Sequence, residues 1–151
     1  RSPQATLGYF VKPEKTDDAF ASGWFHSGDL GVFDDEGYLT VVDRIKDMIK
    51  SGGENVASRE VEEAIYQLDA VAEVAVFGVA DQRWIEAVTA VVVPKEGVDL
   101  TPESVVAHAR TVLAHFKAPK YVAIVDELPK NPSGKILKRI LREQYAKLGE
   151  S

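Results

Sequence analysis

The sequence predicts an α+β fold: a small domain with a central sheet of a few strands flanked by helices, preceded by a β-rich segment of a larger domain. Two observations support this. From about residue 45 the apolar pattern runs helix, strand, strand, helix, strand, helix, which is typical of one mixed domain. Residues 1–43 contain only short strands and turns, which bury too little apolar surface to be stable alone. We therefore divide the chain into residues 1–45, the end of a large N-terminal domain, and residues 46–151, a small C-terminal domain.

The first segment is predicted to contain a hairpin and one further strand. Leu7–Val11 and Leu30–Phe33 are apolar runs of strand length. The turn residues Asp34–Gly37 separate the second run from the β-rich Tyr38–Val42, which predicts an antiparallel pair. These elements look like the edge of something larger.

The first half of the second segment is predicted to form a helix and two buried strands. Ser58 is placed to cap a helix whose apolar face repeats every three or four residues, at Val61, Ala64, Ile65 and Leu68. Val71–Val79 and Ala87–Val93 are rich in valine, which favours strands that are buried on both faces.

Two helices and a strand are predicted to follow. Thr101-Pro102-Glu103 combines a capping hydroxyl, a proline at the first helical position and an acid in the first turn. The strand is Tyr121–Val125, and a basic amphipathic helix is predicted at Ile136–Leu148. The residues that the middle helix should bury are Val105, Val106, Ala109, Val112 and Leu113.

Composition limits the classes of protein to consider. Among 151 residues, 45% are hydrophobic and 28% are charged, as in ordinary globular proteins. No apolar run approaches the roughly 20 residues of a membrane helix, and the chain has no cysteine for disulfides or thiolate metal sites. We expect a cytoplasmic enzyme with no metal site in this chain. Because the one methionine is Met48, we also expect a piece cut from a longer protein.

Charge is distributed unevenly along the chain. The net charge is −6, yet residues 116–151 contain eight Lys/Arg and only four Asp/Glu. A basic end on an acidic body suggests a local anion site rather than nucleic-acid binding, which usually needs a strongly basic domain. A solvated helix face is an equally good explanation of the same charges.

Three short segments contain residues suited to chemistry, and the first is His26–Asp29. A carboxylate at Asp29, directly after a glycine turn, can accept two hydrogen bonds from a ribose diol. Alternatively, the Asp29 side chain caps its own turn.

The second segment is Asp43–Asn55. Gly52 and Gly53 permit positive φ and close approach of a ligand, and three cationic residues precede them. Arg44 could bind a phosphate or a ribose, or it could form a salt bridge to Asp43 or Asp47.

The third segment is Pro129–Lys135, at the start of the predicted last helix. Helix N-termini favour anions, and a lysine there can reach a developing negative charge. The segment is not a phosphate-binding Walker loop, because Pro129 stands where the first glycine belongs and Ile136 replaces the Ser/Thr after the lysine. Taken alone, Lys135 could be an ordinary surface lysine.

Together the three segments resemble the C-terminal portion of the adenylate-forming superfamily, which includes acyl-CoA synthetases, firefly luciferase and the adenylation domains of peptide synthetases. The matching stretches are GWFHSGD, DRIKDMIKSGGEN and NPSGKILKR, and their flanks look most like fatty-acid or aryl-acid CoA ligases. The resemblance implies a two-step reaction that uses ATP, CoA and Mg²⁺. A carboxylic acid becomes an acyl-adenylate, and CoA thiol then displaces AMP.

The resemblance also implies roles for individual residues. Asp29 would bind the AMP ribose, Arg44 would contact ribose or phosphate, and Lys46 would be the hinge of a rotating C-terminal domain. Gly52 and Gly53 would line the pantetheine tunnel, and Lys135 would bridge the substrate carboxylate and the α-phosphate. The ATP cradle and the acyl pocket would lie in the N-terminal domain that precedes this chain, so the chain alone should be inactive.

Three further residues match positions that contact CoA in related ligases. Trp84 stands where an aromatic ring stacks on the CoA adenine, although Ile85 follows it in place of the usual glycine. Phe116 and Lys117 could touch the CoA nucleotide. Trp84 could instead serve only in packing.

Two other functions fit parts of the sequence. One is an adenylation domain that loads a carrier protein instead of CoA. The other is a free-standing binding module that uses the basic final helix, but this leaves the three matching segments unexplained.

Overall fold

A computed structural model describes residues 4–150. The chain divides into two compact units, Arg1–Lys46 and Asp47–Ser151, which we call the first unit and the second unit. The division falls within one residue of the boundary expected from the sequence. That the first unit is the end of a larger domain stays a prediction.

The first unit contains a short helix and a two-stranded antiparallel sheet. The elements are α1 (Pro13–Ala19), β1 (Asp29–Phe33) and β2 (Leu39–Arg44). The predicted hairpin is confirmed. Its turn is closed by Asp34, whose Oδ1 accepts hydrogen bonds from the backbone N–H groups of Glu36 at 3.0 Å and Tyr38 at 2.8 Å.

The predicted strand at Leu7–Val11 is wrong, and α1 was not predicted. Pro13 opens α1 at its first position, where the missing N–H costs nothing. The Thr16 hydroxyl in α1 accepts a hydrogen bond from the Tyr9 N–H at 2.9 Å, which holds the preceding segment as a loop. Because α1 buries none of its residues, it has no apolar stripe that the sequence could reveal.

The hairpin of the first unit exposes large apolar side chains on both faces. Every residue of β1 is exposed, and β2 is at most half-buried. The exposed apolar side chains of the hairpin are Leu30, Val32, Phe33, Tyr38, Leu39 and Val41. Contiguous apolar patches of this kind are typical of surfaces that contact another domain or protein.

The second unit is built on a five-stranded mixed sheet. The strands are β3 (Ile49–Ser51), β4 (Glu54–Val56), β5 (Val71–Asp81), β6 (Ile85–Pro94) and β7 (Tyr121–Ile124). Their order is β4-β3-β6-β5. Strand β3 pairs with β6 only at Ser51 and Ile85, and β7 pairs in parallel with a later part of β6. The long antiparallel β5–β6 ladder runs from Val71 opposite Pro94 to Asp81 opposite Ile85.

Helices cover both faces of this sheet. They are α2 (Ser58–Tyr66), α3 (Pro102–Val112) and α4 (Lys138–Gln144). Side chains at alternate positions of β6, such as Val88 and Val92, pack with α2 and α3 on one face. Side chains that point to the opposite face of β6, such as Val91, pack with α4. Burial on both faces explains why β5 and β6 are continuous runs of valine and alanine rather than alternating patterns.

The two helices whose caps were predicted, α2 and α3, both form, but only α3 is capped as expected. Thr101 accepts a hydrogen bond from the Ser104 N–H at 3.2 Å, and Ser104 Oγ accepts one from the Thr101 N–H at 3.3 Å. The prediction that Ser58 caps α2 is wrong. Ala57 is the N-cap, and Ser58 is the fully buried first residue of the helix, where its Oγ accepts a hydrogen bond from Lys138 Nζ at 2.8 Å.

Helix α3 buries fewer residues than predicted, and α4 is shorter than predicted. In α3, Val105 and Ala109 are buried, whereas Val112 is 46% exposed at the end of the helix. The predicted helix Ile136–Leu148 is wrong at both ends. Ile136 pairs with Lys130 in a β-bridge, and after Gln144 the chain forms a 3-10 helix whose Leu148 packs on the sheet.

Helix α2 also blocks the edge of the sheet at β5. The Val76 N–H donates to Glu62 Oε1 at 2.8 Å, and the Val74 N–H donates to the Tyr66 hydroxyl at 3.3 Å. Glu62 Oε1 lies 2.8 Å from Lys138 Nζ, so one carboxylate joins β5 to both α2 and α4. Occupied edge groups cannot pair with another chain.

Within residues 4–150, no helix is long and apolar enough to cross a membrane.

The Glu62 interaction gives a stability prediction. Glu62→Ala leaves the Val76 N–H and the Lys138 ammonium without their acceptor, so we expect the free energy of unfolding to fall by about 1–3 kcal/mol. Chemical denaturation followed by circular dichroism measures this. The matched control is Glu63→Ala, which removes only an exposed pair with Arg59 and should change stability by less than about 0.5 kcal/mol. Equal effects of the two changes would contradict the role of Glu62.

Candidate functional site

Asp29 and Arg44 face each other in the first unit. The β1–β2 register pairs these two residues directly, and Arg44 Nε lies 3.5 Å from Asp29 Oδ1. The turn before Asp29 is bridged by Ser27, whose Oγ accepts a hydrogen bond from the Asp29 N–H at 3.2 Å. The Asp29 side chain therefore pairs with Arg44 and not with its own turn. The Arg44 guanidinium forms its ion pair with Asp29, and the Arg44 backbone N–H donates to Asp43 Oδ1 at 2.7 Å.

This pair offers two kinds of recognition at adjacent points. The Asp29 and Arg44 side chains are 34% and 50% exposed, so both remain accessible to a ligand. A carboxylate accepts hydrogen bonds from hydroxyl groups, and a guanidinium binds phosphate oxygens through a planar fork. The arrangement suits a sugar diol that carries a nearby phosphate.

Lys46 lies at the boundary between the units. It is in the 3-10 helix Ile45–Asp47 that connects β2 to β3, and it is the last residue of the first unit. The side chain is exposed. The next residue, Asp47, belongs to the second unit and pairs with Arg142 of α4 at 2.8 Å.

Gly52 and Gly53 form the two-residue turn between β3 and β4. Their φ values are +63° and +88°, the left-handed values that this hairpin turn requires and that glycine adopts without strain. The Gly52 N–H donates to the Trp84 carbonyl at 2.8 Å. A β-carbon at Gly52 would lie only 3.2 Å from Trp84 Cε3, whereas one at Gly53 would meet nothing within 4 Å. The structure thus brings Gly52 and Trp84 together.

Trp84 lies in the turn between β5 and β6, and Asp81 holds this turn. Asp81 Oδ1 accepts hydrogen bonds from the N–H groups of Arg83 at 2.8 Å and Trp84 at 2.9 Å. The bond from Trp84 is the main reason that the pKa of Asp81 lies below its usual value. The Tyr121 hydroxyl donates to Asp81 Oδ2 at 3.0 Å, and this bond raises the pKa of Tyr121.

Cationic side chains gather around the Trp84 ring. The Arg83 guanidinium lies 4.8 Å and Lys120 Nζ lies 4.9 Å from the ring centroid. Burial lowers the pKa of Lys120, and the positive charges of Arg110 and Arg83 lower it further. Neither Lys120 nor Arg110 forms an ion pair with any residue in the range 4–150. Both line a cavity of about 510 Å³ between α3 and β7.

Arg110 and Lys120 were not among the residues singled out in the sequence. They are separated from Trp84 by 26 and 36 positions, and no local pattern connects them to it. The parallel pairing of β7 with β6 brings Lys120 to Trp84, and Arg110 lies near Lys120 along the same cavity. An aromatic ring with unpaired cations beside it suits a ligand with a flat base and anionic groups.

Phe116 and Lys117 are occupied in other ways. Lys117 Nζ lies 2.6 and 2.8 Å from the two carboxylate oxygens of Glu60. Phe116 is partly buried against the core on the face covered by α2 and α3, whereas Trp84 is partly buried against the core on the opposite face. The structure therefore does not bring these two residues to Trp84.

Lys135 is presented on a tightly bonded turn. Asn131 Oδ1 accepts hydrogen bonds from the Ser133 N–H at 3.1 Å and the Lys135 N–H at 2.8 Å. The Asn131 N–H donates to the Lys135 carbonyl at 2.9 Å, and Gly134 takes the left-handed φ of +81°. Lys135 is exposed, and it forms no ion pair within the described part of the chain.

The expected position of Lys135 at a helix N-terminus is wrong. Helix α4 begins at Lys138, and its N-cap Leu137 makes no side-chain capping bond. The bridge between Lys130 and Ile136 separates the lysine from the helix. The turn, rather than a helix dipole, therefore orients Lys135.

The fold and these motifs define the C-terminal part of an adenylate-forming enzyme. The family model of the AMP-binding enzyme C-terminal domain matches residues 60–135, half of the chain. The chain therefore belongs to this family, and the resemblance seen in the sequence is confirmed.

Three relatives illustrate the similarity. The chain is 49% identical to the long-chain-fatty-acid–CoA ligase FadD13 of Mycobacterium tuberculosis, over 91% of this chain and 27% of that protein. It is 47% identical to the feruloyl-CoA synthase of an Amycolatopsis species, over 95% of this chain and 29% of that protein. The crystal structure of ATP-bound MatB from Rhodopseudomonas palustris matches with a TM-score of 0.90 and 40% identity, covering 98% of this chain and 30% of MatB. The chain thus spans less than a third of these relatives.

Backbone strain at Ile85 gives a second stability prediction. Ile85 has φ of +70° and is exposed, and a left-handed conformation costs an L-residue about 1–2 kcal/mol. Ile85→Gly should raise the free energy of unfolding by about 0.5–1 kcal/mol, since glycine loses part of the gain through backbone entropy. The control is Ile85→Val, which keeps the branched β-carbon and should gain nothing. Denaturant titration measures both, and a loss of stability in Ile85→Gly would contradict the assignment of strain.

Proposed function

We propose that this chain is the C-terminal part of an ATP-dependent ligase that converts a carboxylic acid into an acyl-adenylate and then into an acyl-CoA thioester. The observation that carries this proposal is the exposed ammonium of Lys135 on a turn fixed by Asn131. The relatives named above include CoA ligases that span more than three times the length of this chain.

In the first step a carboxylate oxygen attacks the α-phosphorus of ATP, and pyrophosphate leaves. Two anionic groups approach each other, so a cation between them should supply the largest stabilisation that this chain offers. Lys135 takes this role, bridging the carboxylate and the α-phosphate. Its turn fixes the backbone, so that little reorganisation is required at the moment of reaction.

The AMP part of the nucleotide is assigned to the first unit. Asp29 accepts hydrogen bonds from the ribose hydroxyls, and Arg44 binds the adjacent ribose or phosphate oxygens. Their 3.5 Å pairing positions the two side chains before the nucleotide arrives. The carboxylate and guanidinium also restrain each other's rotamers.

In the second step the CoA thiol attacks the acyl carbon and AMP leaves. The turn at Gly52 and Gly53 gives the pantetheine arm a surface without side chains, and open space at Gly53 supports this use. Trp84 stacks on the adenine of CoA, and Lys120 and Arg110 bind its phosphates. We assign these two cations to CoA in preference to Lys117, which is paired with Glu60.

The two steps require different surfaces of the second unit, and Lys46 is proposed as the hinge between them. A lysine that occupies the space between carboxylate and phosphate would obstruct the incoming thiol, so it must leave before the second step. A hinge needs only a few residues at an element boundary. The 3-10 turn between β2 and β3 is such a boundary.

The remaining parts of the active site are assigned to residues outside this chain. The ATP cradle and the acyl pocket belong to a larger N-terminal domain, which the exposed apolar hairpin of the first unit would contact. Within residues 4–150, no group of three or more His, Asp or Glu side chains could hold a metal ion.

The role of Lys135 can be tested one step at a time in the longer protein. Lys135→Ala should slow ATP–pyrophosphate exchange by roughly a hundred- to thousandfold, the usual cost of losing one charge-stabilising donor. Thioester formation from preformed acyl-adenylate should be nearly unchanged. A panel of carboxylic acids in the exchange assay identifies the substrate class.

The matched control is Lys130→Ala at the other end of the same turn. Lys130 pairs with Glu73 at 2.7 Å and has no proposed role in catalysis, so both steps should proceed normally. Equal loss of both steps in Lys135→Ala would contradict its role. Absence of exchange in the unmodified protein with every acid would contradict the function itself.

A further inference from the structure

We propose that Arg142 is a positioning residue for the first step. Its ion pair with Asp47 fixes the residue next to the hinge Lys46, which we also call the pivot, to the helix that follows Lys135. The inference rests on the proposed function. Rotation of the second unit would then be confined to Lys46, and the distance from the pivot to Lys135 would be held constant.

The geometry of the pair supports this role. Asp47 is the first residue of the second unit and directly follows Lys46. Its Oδ1 accepts a hydrogen bond from Arg142 Nη2 at 2.8 Å, across 95 positions of sequence. The two side chains are 15% and 33% exposed, so the pair is partly shielded from water and from salt.

Helix α4 is well placed to transmit this constraint. It begins at Lys138, three residues after Lys135, and Leu141 is buried in the core on one face of the sheet. Lys138 pairs with Glu62 at 2.8 Å, which fixes the helix to α2 and β5. Arg142 adds the connection from this helix to the residue next to the pivot.

A second ion pair on the same helix provides the contrast. Arg139 and Glu143 lie 2.7 Å apart, but their side chains are 77% and 64% exposed and both belong to α4. Such a pair contributes little to stability and connects nothing beyond its own helix. A partly buried pair behaves differently, since loss of one partner leaves a charge without its counterion in a region of low water access.

Loss of the Asp47–Arg142 pair should therefore spread the motion beyond Lys46. Residues 47–51 would move with the pivot, and Lys135 would reach the reacting groups with a less defined position. A misplacement of about 1 Å at a reacting centre can reduce the rate roughly a hundredfold. The first step depends on Lys135 and should suffer more than the second.

The test uses the longer protein and three variants, Arg142→Ala, Arg142→Lys and Arg139→Ala. Arg142→Ala should reduce the kcat of ATP–pyrophosphate exchange roughly ten- to a hundredfold, with little change in the KM for ATP. Arg142→Lys should restore much of the rate, because it keeps the charge, and Arg139→Ala should leave it unchanged. General destabilisation of the fold would not produce a loss of kcat that Arg142→Lys restores.

If Arg142→Ala does not fold, Asp47→Asn provides the same test, because it removes the charge of residue 47 and preserves the volume of its side chain. Combining it with Arg142→Ala should cost little more than either change alone, because both remove one interaction. Hydrogen–deuterium exchange should be faster for amides 47–51 in both single variants and normal in Arg139→Ala.

Two results would overturn the inference: equal kinetics for Arg142→Ala and Arg139→Ala, or additive effects in the double variant. Either result can occur in an enzyme that catalyses exchange normally, so it is distinguishable from failure of the proposed function, in which the unmodified protein shows no exchange.

Discussion

Burial of both faces of the β5–β6 ladder is the interaction on which the rest of the second unit depends. Its valines and alanines hold α2 and α3 on one side and α4 on the other. Close packing of this kind resists gradual deformation, so the unit is expected to move as one body. The turns at the ends of these elements are held in place by the same packing, and they carry Gly52, Trp84 and Lys135.

The turn of Lys135 differs from the turns of Gly52 and Trp84 in the way that the proposed reaction requires. The turn of Lys135 presents a single cation that is bonded through its backbone to Asn131. The turns of Gly52 and Trp84 present bare backbone and an aromatic ring with Lys120 beside it. The first suits neutralisation of phosphate and carboxylate charge, and the second suits passage and stacking of a long thiol substrate. In the proposed reaction, one rigid unit that carries both would rotate to use each in turn.

Periodicity and motifs together predict much of this structure. The valine runs predict β5 and β6, and Thr101-Pro102 predicts the start of α3, because each depends on local chemistry. The position of Lys120 beside Trp84 depends on how β7 pairs with β6, which no local pattern contains. Helix α1 lacks a buried face, and the end of α4 is decided by packing of Leu148 on the sheet. These features therefore could not be read from the sequence.

If one rigid unit serves both steps by turning at Lys46, then Lys46→Pro in the longer protein should separate the two steps. Proline fixes φ near −65° and removes the backbone donor, which restricts the pivot. Pyrophosphate exchange and thioester formation are measured in the same preparation, so the first step serves as the internal control. We expect exchange to be largely retained while thioester formation falls sharply. Normal thioester formation, or equal loss of both steps, would contradict it.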